Sequence, residues 1–176
     1  MLSEIASPSN RFGIYVHWPF CVSKCPYCDF NSHVNKDIDI PKWTQAYISE
    51  LHWMARLYQE KAKNPGQVDS VFFGGGTPTL MPVSIIEEIL ETIDTLFPLA
   101  SNVEITAEAN PSSTETQKLA SFKSAGINRI SVGAQSLNPK TRHFLGRAHS
   151  NQDIYNALYA AMGLFNHVSA DFIYGM

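Results

Sequence analysis

The chain has 176 residues, of which 44% are apolar and 16% are charged, and its formal net charge is -3. This length can bury the core of one domain, and the composition is ordinary for a globular protein. The small negative charge gives no reason to expect nucleic acid as a partner. No apolar segment approaches the roughly 20 residues of a membrane span, and the N-terminal residues lack the features of a signal peptide. We therefore expect a cytoplasmic protein without a transmembrane segment.

Segments with β-strand character alternate along the chain with segments of helical period. The predicted strands are residues 12–18, 68–73, 103–109, 128–134 and 168–175, and the predicted helices are residues 41–60, 82–97, 113–126 and 150–163. Ser113 is the expected N-cap of the third helix, and Gly126 follows its end. Ser150 with Asp153 forms a capping-box pattern at the start of the fourth. This alternation predicts βαβ units and a parallel sheet.

Two parallel architectures fit the alternation. A doubly wound sheet places its phosphate loop directly after the first strand, but here a long cysteine-bearing loop follows that strand. A barrel instead builds its site from residues that follow successive strands. Polar or glycine residues follow every predicted strand: Cys21, Cys25, Cys28, Gly75, Gly76, Thr77, Glu108, Asn110, Gln135, Tyr174 and Gly175. We therefore predict an α/β fold that forms part of a (β/α) TIM-type barrel, with about five parallel strands.

Five strands do not close a barrel, and the fifth predicted strand reads as apolar on both faces. Such a strand is normally covered by helices on one face and by the barrel interior on the other. Residues 1–176 are therefore expected to be an incomplete barrel core, with the C-terminal part of the barrel and a C-terminal domain outside them.

The three cysteines of the chain lie close together, as Cys21, Cys25 and Cys28 in a C-x3-C-x2-C pattern. An odd number of thiols cannot pair fully in disulfides. Three thiolates suit a [4Fe-4S] cluster in which one iron stays open to an external ligand. The alternative is a structural zinc ion, which needs four ligands and could take His17 or His33 as the fourth.

The cysteine pattern, with the aromatic Tyr27 before its last cysteine, resembles the signature of the radical S-adenosylmethionine (SAM) superfamily. Further segments narrow the resemblance: YVHWPFC, FFGGGTPT, EANP, NRISVGAQS and DFIYG occur in order along the chain. Together they resemble the oxygen-independent coproporphyrinogen III oxidase group, which includes HemW-like haem chaperones. The resemblance runs from about Phe12 to the end of the sequence. It implies that the open iron of the cluster binds SAM, and that an electron from the cluster cleaves it to a 5′-deoxyadenosyl radical.

The resemblance also assigns roles to individual residues. Cys21, Cys25 and Cys28 match the cluster ligands, Tyr15 matches a tyrosine that contacts SAM, and Tyr27 matches an aromatic residue that packs on adenine. A glycine-rich turn, Gly75–Gly76–Thr77, matches the turn that meets the methionine end of SAM. Glu108, Gln135 and Arg147 match polar residues that hold the second ligand site and the ribose or carboxylate. Asp171 matches another position of the SAM site.

Two features favour the HemW-like branch of this group. Coproporphyrinogen dehydrogenases usually carry a further cysteine two positions after the third cluster ligand, where this chain has Phe30, and they have a longer segment before the motif. The resemblance therefore implies a chaperone that binds haem and delivers it to a respiratory acceptor protein, with an electron donor for the cluster. The haem-binding His-Asn-Arg motif of this branch would be expected after Met176. The alternative is an oxidoreductase that acts on coproporphyrinogen III in porphyrin biosynthesis.

Overall fold

In the computed structural model, which describes residues 11–61, 66–111 and 116–176, strands and helices alternate along most of the chain. The strands are β1 (Arg11–Trp18), β2 (Phe20–Cys21), β3 (His33–Val34), β4 (Gln67–Gly75), β5 (Leu99–Ala109), β6 (Arg129–Gln135) and β7 (His167–Phe172). The helices are α1 (Ile40–Lys61), α2 (Val83–Leu96), α3 (Thr116–Ser124), α4 (Pro139–Phe144) and α5 (Asn151–Leu164), with a 3₁₀ turn at Pro78–Leu80. None of the helices described is long and apolar enough to cross a bilayer.

Five strands form one parallel sheet in the order β1-β4-β5-β6-β7, while β2 and β3 form a separate two-stranded pair. The spatial order of the five strands follows their order in the chain. Right-handed crossovers that never reverse direction place their helices on one face of the sheet. A doubly wound sheet would instead reverse at a switch point. The prediction of a partial barrel is therefore confirmed, and the sheet is open rather than closed.

The hydrophobic core lies between the sheet and this helical layer. From the strands, Trp18, Phe73 and Ile130 are fully buried. Helix α2 contributes a stripe of buried isoleucines at helical spacing: Ile85, Ile86, Ile89 and Ile93. Each such side chain contributes about 1.5–3 kcal/mol through burial, so α2 is firmly attached to the sheet. The ends of the strands therefore stand on a rigid base.

The opposite face of the sheet carries polar side chains on β5, β6 and β7. Arg129 on β6 forms an ion pair with Glu104 on β5, with 3.1 Å between Nη1 and Oε1. On β7, Ser169 lies opposite Ser131 in the register, and their hydroxyl oxygens are 2.9 Å apart. The prediction that the last strand is apolar on both faces is therefore wrong. Its inner face meets other polar side chains of an open half-barrel instead of a packed apolar interior.

Most predicted element boundaries agree with the structure within a few residues. Ser150 and Asp153 form the predicted capping box, and Gly126 follows α3 with a positive φ of 109°. The predicted N-cap Ser113 lies outside the described residues. Helix α4, the pair β2–β3 and the 3₁₀ turn were not predicted, because short elements have too few residues to show a period.

Candidate functional site

The C-terminal ends of the strands surround one cleft of about 720 Å³, including its open mouth. Most of the polar and glycine residues that the sequence places after the strands line it, together with Arg147 and Asp171: Cys21, Cys25, Cys28, Gly75, Gly76, Thr77, Glu108, Asn110 and Gln135. Parallel strands bring their carboxyl ends to one edge, which explains why residues so distant in sequence meet here. Tyr174 and Gly175 do not line the cleft, and Tyr174 is 94% exposed.

The glycine-rich turn after β4 fastens the start of the cysteine loop (residues 21–32) to the sheet. The Gly76 N–H donates to the Trp18 carbonyl at 2.6 Å, and the Thr77 N–H donates to the Phe20 carbonyl at 2.9 Å. A Cβ atom at Gly76 would lie 2.6 Å from the Phe20 carbonyl oxygen, so no larger residue fits without moving the backbone. Gly75 has a φ of 110°, which strains any other residue. The turn thus places Cys21 beside the cleft.

The cysteines themselves are free, half-buried thiols. Within the loop, the Cys28 N–H donates to the Cys25 carbonyl at 3.0 Å, and the Cys28 Sγ lies 3.7 Å from the Ser32 hydroxyl. Lys24 Nζ donates to the Ser32 carbonyl at 3.3 Å and so folds the loop back on itself. Reduced thiols on one side of a cleft are suitable ligands for an iron–sulfur cluster.

Arg147 connects the cysteine loop with the sheet. Its Nη1 donates to Cys25 Sγ at 3.4 Å, and its Nη2 donates to the Gly133 carbonyl at 3.0 Å. Its Nε is buried and has no hydrogen-bond partner within the described parts of the chain. The guanidinium therefore brings positive charge to a thiol that would be a thiolate in a cluster, and it keeps one donor for a ligand. Both properties fit an anionic cluster together with a carboxylate-bearing ligand.

Glu108 is a carboxylate set into the same wall. It accepts a hydrogen bond from the Gly75 N–H at 3.2 Å. Burial raises the pKa of Glu108, and the nearby negative charge of Asp171 raises it further, whereas the bond from Gly75 opposes the increase. A carboxylate in this position is a suitable acceptor for the amino group or hydroxyls of a ligand.

Asp171 is held in place by hydroxyl groups of the inner sheet face. The Ser131 hydroxyl lies 2.9 and 2.8 Å from the two carboxylate oxygens of Asp171. Because Ser131 is buried and is itself contacted by Ser169, the carboxylate is fixed from behind. Asp171 therefore presents a defined orientation to the cleft.

Two predicted tyrosines occupy different surroundings. Tyr27 lines the cleft, and burial raises its pKa to about 12. Tyr15 does not line the cleft, although it lies near enough to Glu108 for that charge to add to the effect of burial in raising the pKa of the phenol. Its ring stacks on Phe72, with 6.0 Å between the centroids. A contact between Tyr15 and SAM therefore stays a prediction.

Both histidines considered as zinc ligands are hydrogen-bonded to Asn31. His17 Nε2 lies 2.9 Å from the Asn31 carbonyl, and His33 Nε2 lies 3.0 Å from the Asn31 side-chain oxygen. Neither ring lines the cleft. Across the described residues, no three His, Cys, Asp or Glu side chains are arranged around one metal ion. An iron–sulfur cluster does not need its ligands around a single metal ion, because each thiolate binds a separate iron.

Sequence reasoning missed Gly146, which lets the segment before Arg147 approach the cysteine loop. Its φ is 66°, and a Cβ atom there would lie 2.5 Å from Pro26 Cδ. The only local signal was a glycine directly before a predicted site residue.

Comparison with known proteins agrees with this geometry. The profile of the Radical SAM superfamily matches residues 15–176. The chain is 38% identical over 172 residues to the Bos taurus protein "Radical S-adenosyl methionine domain-containing protein 1, mitochondrial". This alignment covers 97% of the chain and 38% of that protein. It is 38% identical over 165 residues to "Heme chaperone HemW" of Escherichia coli, in an alignment that covers 93% of the chain and 42% of that protein.

Among solved structures, coproporphyrinogen III oxidase (HemN) of Escherichia coli, described as a radical SAM enzyme, matches with a TM-score of 0.81 and 27% identity. The match covers 96% of this chain and 38% of that one. The chain thus spans about two fifths of the length of these relatives. It belongs to the radical SAM superfamily, in the group that contains HemW and the coproporphyrinogen III oxidase HemN.

Proposed function

We propose that this chain is the radical SAM core of a HemW-like haem chaperone, which binds a [4Fe-4S] cluster and SAM and delivers haem to respiratory proteins. The observation that supports the cofactor sites is the single cleft shared by the cysteines, the glycine turn and the polar strand ends. Similarity to the Escherichia coli protein named for haem supports the chaperone role. The proposal includes a cytoplasmic location.

In this proposal the cluster is held by Cys21, Cys25 and Cys28. When bound, the cluster supplies the electron that cleaves the sulfonium C–S bond of SAM. The residues around it bind and orient SAM: the glycine turn lets backbone N–H groups approach the methionine end closely. Glu108 and Asp171 accept hydrogen bonds from its amino group or hydroxyls, and the Arg147 guanidinium pairs with its carboxylate.

Three further contacts of SAM are part of the proposal. Tyr27 packs on the adenine, and Gln135 contributes an amide at the rim of the cleft. Tyr15, a residue that is 57% exposed, would reach SAM from β1 through a rotation of its side chain. Haem and its acceptor protein would bind outside the described residues.

Anaerobic reconstitution of the full-length protein tests the part of the proposal that concerns the cluster and SAM. We expect about four irons and four sulfides per chain, as a three-thiolate cubane requires. We also expect SAM to change the EPR spectrum of the reduced cluster. Stoichiometric zinc without iron, or a spectrum that saturating SAM leaves unchanged, would refute it.

The second candidate is an oxygen-independent coproporphyrinogen III dehydrogenase, favoured by the similarity to HemN. Phe30, which lines the cleft where those enzymes usually carry a cysteine, favours the chaperone. The chaperone and dehydrogenase functions can be distinguished by adding either haem or coproporphyrinogen III to the reconstituted full-length protein. Tight haem binding followed by transfer to an apo-cytochrome supports the chaperone, whereas decarboxylation of coproporphyrinogen supports the enzyme.

We also propose that residues 1–176 act as part of a larger barrel. Support comes from β7, which forms one edge of the sheet, and from exposed apolar side chains on the neighbouring helix α5, Tyr159 and Met162. An unpaired strand edge beside apolar surface favours association. We expect residues 1–176 alone to aggregate or to bind SAM more weakly than a longer chain. A monomeric segment that melts cooperatively and binds SAM as well as the longer chain would contradict this.

A further inference from the structure

The segment between β6 and α5 joins two predicted SAM-site residues: Gln135, the last residue of β6, precedes it, and Arg147 lies near its end. Behind it lie two buried polar side chains that do not line the cleft: Arg142, which is 6% exposed, and His149, which is 5% exposed. Buried charge is costly and persists where its hydrogen bonds are well made. The hydrogen bonds of Arg142 and His149 therefore indicate which parts of this segment the two side chains hold.

Arg142 uses its guanidinium to join both ends of the segment. Its Nη1 donates to the Ser136 carbonyl at 3.1 Å and to the side-chain oxygen of Asn151. Its Nε donates to the His149 carbonyl at 3.0 Å. The guanidinium thus binds the chain just after Gln135 and just after Arg147.

His149 closes the same loop from the other side. Its Nε2 lies 3.2 Å from the Ala134 carbonyl, and a carbonyl only accepts, so Nε2 carries the proton. Burial lowers the pKa of His149, and the charges of Arg147 and Arg142 also lower it, which keeps the imidazole neutral. The carbonyl of the residue before Gln135 is therefore held by His149, and the carbonyl of the residue after it by Arg142.

Gln135 needs such support. It has a φ of 62°, the one positive φ among the non-glycine residues described. This left-handed conformation is unfavourable for residues other than glycine and persists where the surroundings impose it. The Arg147 backbone is tied in as well, because its N–H donates to the Arg142 carbonyl at 2.9 Å.

We propose that Arg142 and His149 are positioning residues that hold Gln135 and Arg147 in the orientation that binds SAM. This inference rests on the proposed function, since it assumes that the cleft takes SAM. It adds two residues outside the cleft that set SAM affinity and the geometry of SAM beside the cluster.

The test measures SAM affinity by the EPR change of the reduced cluster in the reconstituted full chain, with iron content and thermal unfolding measured in parallel. Arg142→Met is expected to keep its iron and to bind SAM on the order of tenfold more weakly, the loss typical of a hydrogen bond to a charged group. The matched control is His143→Leu on the exposed face of the same helix, which should bind as the wild type does.

A matched pair at His149 keeps the test decisive if Arg142→Met does not fold. His149→Gln retains an amide donor for the Ala134 carbonyl and should keep most of the affinity, whereas His149→Leu should lose it. In a Gln135→Ala background, Arg142→Met should cost less than in the wild type, because the two residues act together.

A role confined to stability would lower the unfolding temperature and leave SAM affinity unchanged at a temperature where the variants are folded. If the wild type responds to SAM and folded Arg142→Met and His149→Leu respond identically, the positioning role is refuted while the proposed function stands. If the wild type itself does not respond, the proposed function fails and this inference fails with it.

Discussion

The two walls of the cleft are built differently. The cysteine loop consists mostly of irregular backbone, held by a few bonds such as that from Lys24 to the Ser32 carbonyl. The opposite wall is made of the ends of β4, β5 and β6, and the helix-facing side of these ends is buried at Phe73, Ala107 and Val132. The predicted metal-ligating residues thus lie on the less regular wall, whereas predicted SAM-binding residues such as Gly75, Glu108 and Gln135 lie on the rigid one. Metal binding can organise a loop, whereas recognition of a small molecule requires a prepared surface.

The largest expected effect is on the cysteine loop. Replacing Cys21, Cys25 or Cys28 by Ala should abolish the cluster, because a cubane held by two protein thiolates lacks a ligand. Iron and sulfide analysis after anaerobic reconstitution measures this. Ser23→Ala, in the same loop, should retain the full iron content. A cysteine variant that keeps about four irons would show that the loop is not the cluster site.

Next in size is the junction between the two walls. Gly76→Ala should lower the free energy of unfolding by about 1–3 kcal/mol, the usual cost of overpacking, because the new Cβ would press on the Phe20 carbonyl. Gly163→Ala is the matched control: among the described residues outside its own stretch of helix, none lies within 4 Å of the added Cβ, and alanine favours a helix. Denaturant unfolding of both variants measures the difference. Equal stabilities would mean that the walls are not joined through Gly76.

On the rigid wall, Glu108 should make SAM binding depend on pH. Its raised pKa means that the carboxylate becomes protonated at a higher pH than an ordinary Glu, so affinity should fall as the pH decreases through that pKa. SAM titrations followed by EPR between pH 8 and 5 measure this. Glu108→Gln should bind weakly at every pH without losing iron. The same pH dependence in that variant would assign the titration to another group.

The smallest expected effect concerns stability behind the rigid wall. His149 has a lowered pKa in the folded chain, so between that value and the unfolded pKa of about 6.5 the unfolded state binds more protons. Stability should therefore decrease as the pH falls below about 6.5, and less so in His149→Gln. Urea unfolding midpoints at pH 8 and pH 5.5 test this. A wild type and variant with parallel pH profiles would contradict it.

The sequence by itself determined the features that depend on neighbours along the chain. The spacing of Cys21, Cys25 and Cys28 was readable because all three lie in one loop, and the helix stripe around Ile89 was readable because burial follows a period. The alternation of strands and helices then implied a parallel sheet whose strand ends meet, which located Gly75, Glu108 and Gln135 at one cleft.

Only the tertiary structure decided which side chains support that cleft. Ser131 beneath Asp171, Pro26 against Gly146, and Arg142 behind Gln135 are contacts that leave no period or spacing in the sequence. The sequence does not distinguish a serine or an arginine on a solvated surface from one in a buried hydrogen-bond network. Its role depends on which distant carbonyl or carboxylate the fold brings within about 3 Å, the range of a hydrogen bond. That proximity is a property of the assembled sheet and its loops.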